Sequence, residues 1–175
     1  ILINIPNSRI FLKDSPLEDE RVKNDIYLQF VDFGIEKNRI ILQGADNRNI
    51  LLQNYNKIDI SLDTFPYGGG TTNLESAWMG VPILTLCGPG FLSRCGESIN
   101  SNLGLYDWIC KTKEDYIQKA INYSFNIELL SKIKKDLLYA SEHNIMFSSY
   151  EFTFDFINLI KNTFIKHQKL EFNTY

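Results

Sequence analysis

Ile58 to Pro82 reads IDISLDTFPYGGGTTNLESAWMGVP, and its pattern decides the fold. Ile58, Ile60 and Leu62 alternate with polar residues, the period of a strand, which is expected to end near Asp63. Pro66 and the run Gly68, Gly69, Gly70 interrupt regular structure and mark a tight loop where backbone can approach a ligand. Thr71 and Thr72 suit a helix N-terminus, Leu74, Ala77 and Trp78 share a helical face, and Gly80 and Pro82 end it.

Strand, glycine loop and helix N-terminus in that order form an anion site, because the first helical amides lack intrahelical partners and carry the positive end of the dipole. Phosphate is the usual guest. Glu75, one turn inside, repels phosphate but can accept from a sugar hydroxyl set back from it. Nucleotide and sugar nucleotide fit that pairing; a glycine turn with no ligand fits the spacing as well.

Outward from this stretch the chain alternates strands with helices. Arg9–Lys13, Arg39–Gln43 and Pro82–Leu86 read as strands. Ser15, Pro16 and Glu18 read as the start of a helix that carries Val22, Ile26, Phe30 and Phe33 and closes at Gly34. Asp46 is expected to cap a helix with Ile50, Leu51, Leu52 and Tyr55. This order predicts right-handed βαβ units, a Rossmann-like parallel sheet with flanking helices, and a crevice at the carboxyl ends of the strands. The loops at Gly44, Gly68–Gly70 and Cys87–Phe91 gather there. Residues 111–169 turn helical: Thr112 with Asp115 opens one helix, Leu130, Ile133 and Leu137 outline another, and residues 170–175 form a tail. The stripe Phe152, Phe156, Ile160 and Phe164 on the last helix predicts core or domain-interface packing.

The 175 residues form a single domain in this reading, with 44% hydrophobic and 22% charged residues, as in an ordinary globular protein. A formal net charge of -3 without a basic stripe argues against nucleic acid. No apolar run has membrane length, so no membrane association is expected. Three cysteines, Cys87, Cys95 and Cys110, lack paired zinc spacings and read as reduced thiols, which favours the cytoplasm and no metal. Because Ile1 stands first, the chain is expected to begin inside a longer protein. His143 and His167 have no acid or nucleophile at suggestive spacing, and no catalytic residue is assigned. Asp59 reads as a hydrogen-bonded structural residue and Asp63 as a loop anchor; Lys13, Arg48 and Arg94 are candidate ligand contacts or surface cations.

The stretch Ile58–Leu86, with SRCGESINSNLGLYDWICKTKEDY after it and IPNS and KNRIILQG before it, resembles the tetratricopeptide-associated O-linked N-acetylglucosamine transferases and their bacterial relatives. The resemblance covers nearly the whole chain. It implies the C-terminal, donor-binding domain of a GT-B glycosyltransferase, truncated at its N-terminus, with UDP-N-acetylglucosamine as donor, inverting transfer to Ser or Thr of proteins, and neither cofactor nor metal. Gly69, Gly70, Thr71 and Thr72 would meet the diphosphate, Glu75 the ribose, Arg48 would lie near the ribose, and the turn from Gly44 to Asp46 would face the uracil. The acceptor protein would bind upstream regions, where the family's diphosphate-reaching glutamine and lysine also lie.

The sequence departs from the family pattern at two places. Leu51 stands where the family usually has a histidine against the base, and Asn54 where a basic or stacking residue is frequent. These leave open another UDP-sugar, such as glucose moved to asparagine, or a degenerate interaction module. If the missing first strand is central to the sheet, the isolated chain is expected to associate through unpaired apolar edges.

Overall fold

A computed structural model describes residues 1–172, with side chains through residue 168. The strands are β1 (Ile10–Lys13), β2 (Ile40–Gln43), β3 (Ser61–Leu62), β4 (Ile83–Leu86) and β5 (Ile109–Cys110). The helices are α1 (Glu20–Asp32), α2 (Arg48–Asn54), α3 (Thr71–Trp78), α4 (Cys95–Asn102), α5 (Lys113–Phe125), α6 (Ile127–His143) and α7 (Ser149–Phe172). All pairings are parallel, in two ladders, β1-β2 and β3-β4-β5. This is the α/β arrangement with flanking helices that the alternation predicts, but its strands are divided between two hydrogen-bonded groups. β5 was not anticipated: two residues give no period to read.

Several boundaries differ from the reading of the sequence. β3 is only Ser61–Leu62, because its ladder with β4 opens where Ser61 donates to the carbonyl of Pro82, and Pro82 itself has no amide hydrogen to give. The expected helix at Ser15 splits. Asp14 caps a 3-10 turn over Ser15–Glu18, and Asp19 then caps α1 by accepting from the Arg21 amide. Asn47, not Asp46, caps α2 through its bond from the Ile50 amide, since the Asp46 carboxylate is taken by Lys13 Nζ at 2.6 Å and Gln43 Nε2 at 2.8 Å. Gly34 adopts φ +78° after α1, as a helix-closing glycine does. Thr112 caps α5 by accepting from Asp115 N–H. The tail expected at 170–175 begins within α7, which runs to Phe172; residues 173–175 lie outside the described residues.

The core sits on both sides of β4. One cluster joins Leu84, Trp108, Cys110, Tyr116, Ala120 and Leu130, with Trp108 stacked on Tyr123 at 4.1 Å between ring centroids. The other joins Ala77, Ile83, Ile99, Leu103 and Leu137. Ser141 Oγ donates to the Ala77 carbonyl and Asn100 Nδ2 to that of Ile83, so buried polar groups tie α6 and α4 to α3 and β4. α7 does not join this core. Phe152, Phe156, Ile160 and Phe164 are between 50% and 67% exposed, and the helix touches the rest chiefly at the turn Ile145–Phe147. The core packing expected of that stripe is therefore not found. Leu137→Ala removes a side chain 2% exposed at the centre of the second cluster and is expected to cost about 2–5 kcal/mol, measured as a lower urea midpoint. A loss below about 1 kcal/mol would show that this cluster is not a close-packed core.

Candidate functional site

Asp63, at the end of β3, organises the glycine loop. Its side chain is 5% exposed; Oδ1 accepts from the Gly69 amide at 2.7 Å and Oδ2 from Thr85 Oγ1 at 2.7 Å. Its carbonyl accepts from the Tyr116 hydroxyl at 3.0 Å, and burial, with the charge of Asp63 adding, pushes the Tyr116 phenol well above its ordinary value, so it stays a donor. Thr64 Oγ1 closes the turn onto the Tyr67 carbonyl. A Cβ on Gly96 would run into Asp63 Oδ2 and Thr85 Oγ1, so the loop, β4 and the start of α4 meet at one point only a glycine allows.

α3 follows immediately. Gly70 precedes it with no side-chain cap, and the first intrahelical bond runs from Leu74 N–H to the Gly70 carbonyl, so the amides of Thr71, Thr72 and Asn73 precede the ladder. Gly70, Thr71 and Thr72 are exposed. A Cβ on Gly69 would stand 2.6 Å from Thr72 Oγ1, so the loop folds directly over the helix start, and Asn73 Nδ2 fastens it by donating to the Gly69 carbonyl. These are the features of an anion cradle: amides ahead of the intrahelical ladder, positive dipole end, fixed loop.

Glu75 lies one turn deeper and is 8% exposed; Arg48 Nη1, from the start of α2, reaches its Oε1 at 2.6 Å. The loop after β2 and the helix after β3 are thus brought together, which joins two sequence-identified residues 27 positions apart. The guanidinium is 68% exposed and the carboxylate 9%, so a charged donor stands at the mouth and its acceptor inside. Tyr55 Oη donates to the Thr72 carbonyl at 3.1 Å; burial, with the charge of Glu75 adding, pushes its hydroxyl up to about 12. Leu51 is half-buried on α2, and Asp46 is held by Lys13 and Gln43. Asn54 is buried and its amide points to Gln43 and Asp46. Asp59, expected to be structural, is instead 82% exposed and pairs with Lys134 Nζ at 3.6 Å.

A second cluster, which spacing did not reveal, lies after β4 and β5. Glu97 accepts from Cys87 Sγ at 2.9 Å, Arg94 Nε at 2.9 Å and Lys111 Nζ at 3.0 Å. Arg94 is therefore a salt-bridge partner, 61% exposed. Hydrogen bonds from Cys87, then Lys111 and Arg94, hold the Glu97 carboxyl down at about 2, and burial with the Glu97 bond raises the Cys87 thiol. Cys87, Cys95 and Cys110 are all free thiols. Thr85, Tyr116 and Glu97 were missed because each acts across 10 to 53 positions of sequence, a separation that no local pattern records.

Parallel strands alternating with flanking helices define the class as a Rossmann-like α/β fold. The sequence model of glycosyl transferase family 41 matches residues 1–156. The chain belongs to that family of glycosyltransferases. A probable UDP-N-acetylglucosamine–peptide N-acetylglucosaminyltransferase SPINDLY of Arabidopsis thaliana is 33% identical over 142 residues, covering 78% of this chain and 15% of that protein. A UDP-N-acetylglucosamine–peptide N-acetylglucosaminyltransferase of Caenorhabditis elegans is 24% identical over 160 residues, covering 91% of this chain and 14% of that protein. A solved structure of a mutant O-GlcNAc transferase from Thermobaculum terrenum superposes with TM-score 0.79 and 30% identity, covering 89% of this chain and 31% of that one. The chain thus spans about a seventh of the length of these curated relatives. No helix among the described residues is long and apolar enough to cross a membrane.

Two measurements test this geometry. Asp63→Ala strands the Gly69 amide and the Thr85 hydroxyl and is expected to cost about 3 kcal/mol of folding stability by chemical denaturation, with Asp63→Asn milder because it keeps one acceptor. Glu97 has a folded value below its ordinary 4.5, so its contribution is complete above that pH and is lost as pH falls toward about 2. Melting temperature is therefore expected to fall across that window, and Glu97→Gln to flatten the fall; an unchanged profile would remove Glu97 from the account.

Proposed function

We propose that this chain is the donor-binding portion of an inverting protein O-glycosyltransferase that moves N-acetylglucosamine from UDP-N-acetylglucosamine to Ser or Thr of an acceptor protein. The observation that carries the reading is the pairing of the first α3 amides, which precede the intrahelical ladder, with the buried Glu75. The diphosphate takes the amides of Gly70, Thr71 and Thr72, and the ribose hydroxyls donate to Glu75. One Glu75 oxygen, Oε1, is engaged by Arg48, and Arg48 also brings positive charge to the side of the cradle where the leaving diphosphate develops negative charge. The names of the relatives, which state UDP-N-acetylglucosamine and peptide, support the same donor and acceptor class. The acceptor binds parts of a longer protein, the reaction uses no metal or cofactor, and the work is done in the cytoplasm. The base packs beside α2, with Leu51 offering an apolar face and the turn Gly44–Asp46 its rim.

A second reading is favoured by one observation. Leu51 supplies no ring to stack on a base, so the site either takes another UDP-sugar or serves a non-catalytic module. Calorimetry on the full protein decides between them. Binding of UDP with Kd between about 1 mM and 1 µM is expected, roughly -4 to -8 kcal/mol, and competition among UDP-sugars ranks the donors. No heat from UDP or any UDP-sugar with folded protein would sink the donor reading, and UDP binding that appears only in Leu51→His would identify a decayed site.

A further inference from the structure

Two hydrogen bonds fasten the segment after β2 to the first turns of α3, and they differ in kind. Arg48, the first residue of α2, donates to Glu75, and Tyr55, the residue that follows α2, donates to the Thr72 carbonyl at 3.1 Å. Spacing explains why both reach the same neighbour. Leu51 and Tyr55 stand three and seven positions after Arg48, and Tyr55 keeps helical backbone angles of φ -61° and ψ -25°, so the three share one face of α2. α2 is thereby pinned to α3 at both of its ends. No strand pairing joins the ladder of β2 to that of β3 among the described residues. Side-chain bonds of this kind, with the connection through residues 56–60, set how α2 sits against α3.

The two ties answer differently to a ligand. Arg48 is mostly exposed and its partner is the carboxylate proposed to take the ribose, so that bond lies where the ligand goes. The Tyr55 bond lies elsewhere. Its acceptor is a main-chain carbonyl, and helical carbonyls point toward the C-terminus, away from the leading amides that face an anion. The Tyr55 ring lines a cavity shared with Met79, Gly80 and Leu138, at the end of α3 remote from the glycine loop. Burial, with the charge of Glu75 adding, pushes the hydroxyl up to about 12, so it remains a donor at neutral pH.

We infer that Tyr55 is a positioning residue for the nucleotide: without touching it, its bond to α3 keeps the base side of the site, on α2, in register with the diphosphate side, on α3. This rests on the donor reading, in which one ligand spans both helices. A spanning ligand gains from both sides at once only where their separation already fits it; where the sides can shift, the ligand must order them as it binds. Inorganic pyrophosphate, which uses the α3 side alone, makes no demand on that separation. Loss of the Tyr55 hydroxyl therefore weakens the spanning ligand and spares the short one.

Titrations of the full-length protein with UDP and with inorganic pyrophosphate, in the wild type and in Tyr55→Phe, test this. The variant keeps the ring and removes the hydroxyl. The Kd of UDP is expected to rise about three- to tenfold, the range set by one hydrogen bond, while that of pyrophosphate changes less than about twofold. Unchanged UDP affinity overturns the inference. An equal loss for both ligands also overturns it, because Tyr55 then supports the helix start rather than the spacing, as does a variant unfolded at the assay temperature, where the bond serves the fold. A wild type that binds UDP but not pyrophosphate refutes it as well, since the α3 side then has no site of its own. Absence of UDP binding in the folded wild type is a separate result: it removes the donor reading, and this inference with it.

Discussion

The buried carboxylate of Asp63 is the constraint on which the candidate site depends. Removed from water, it needs donors, and it finds them on elements that are otherwise independent: the glycine loop through the Gly69 amide and β4 through Thr85. Satisfying one charge therefore fixes the path of Thr64–Gly70, and that path decides where α3 begins and which way its first amides face. Tyr116 of α5 adds a third tie through the Asp63 carbonyl, so the cradle inherits its rigidity from the core cluster around Leu84 and Trp108.

Charge is distributed around the cradle by depth. The amides at the mouth are neutral dipoles, Arg48 stands mostly in water, and Glu75 is held inside, set back from the helix start by a turn. Because Arg48 touches Glu75, the pair forms one surface with both a donor and an acceptor. Glu97 holds two further cations at the neighbouring strand ends, so this cluster keeps one positive charge in excess of its carboxylate.

Local pattern was legible in the sequence wherever the physics is local. The βα alternation, the glycine loop, the start of α3 and the Thr112 cap follow from residues within a few positions of one another, and the structure has them. Asp46 and Asn47 show the limit: both are good caps, and Lys13, 33 positions away, decided which was free to serve. The two-residue strand β5 carries too little sequence to have a period, and the α7 stripe shows that an apolar face says only that something should cover it, not that this chain does. Arg48 and Glu75 were each identifiable, but their direct bond was not, because it depends on how the loops of two ladders meet.

α7 projects its length away from its attachment. Its 24 residues span about 36 Å at the rise of an α-helix, comparable with the diameter of a small domain. It is held chiefly at one end, where the turn Ile145–Phe147 sets Phe147 against Trp78 at 5.4 Å between ring centroids. Trp78 is the last residue of α3, the helix whose other end forms the cradle. The attachment of α7 thus rests against the far end of the eight-residue helix that opens at the glycine loop, so the longest helix and the loop are joined through α3.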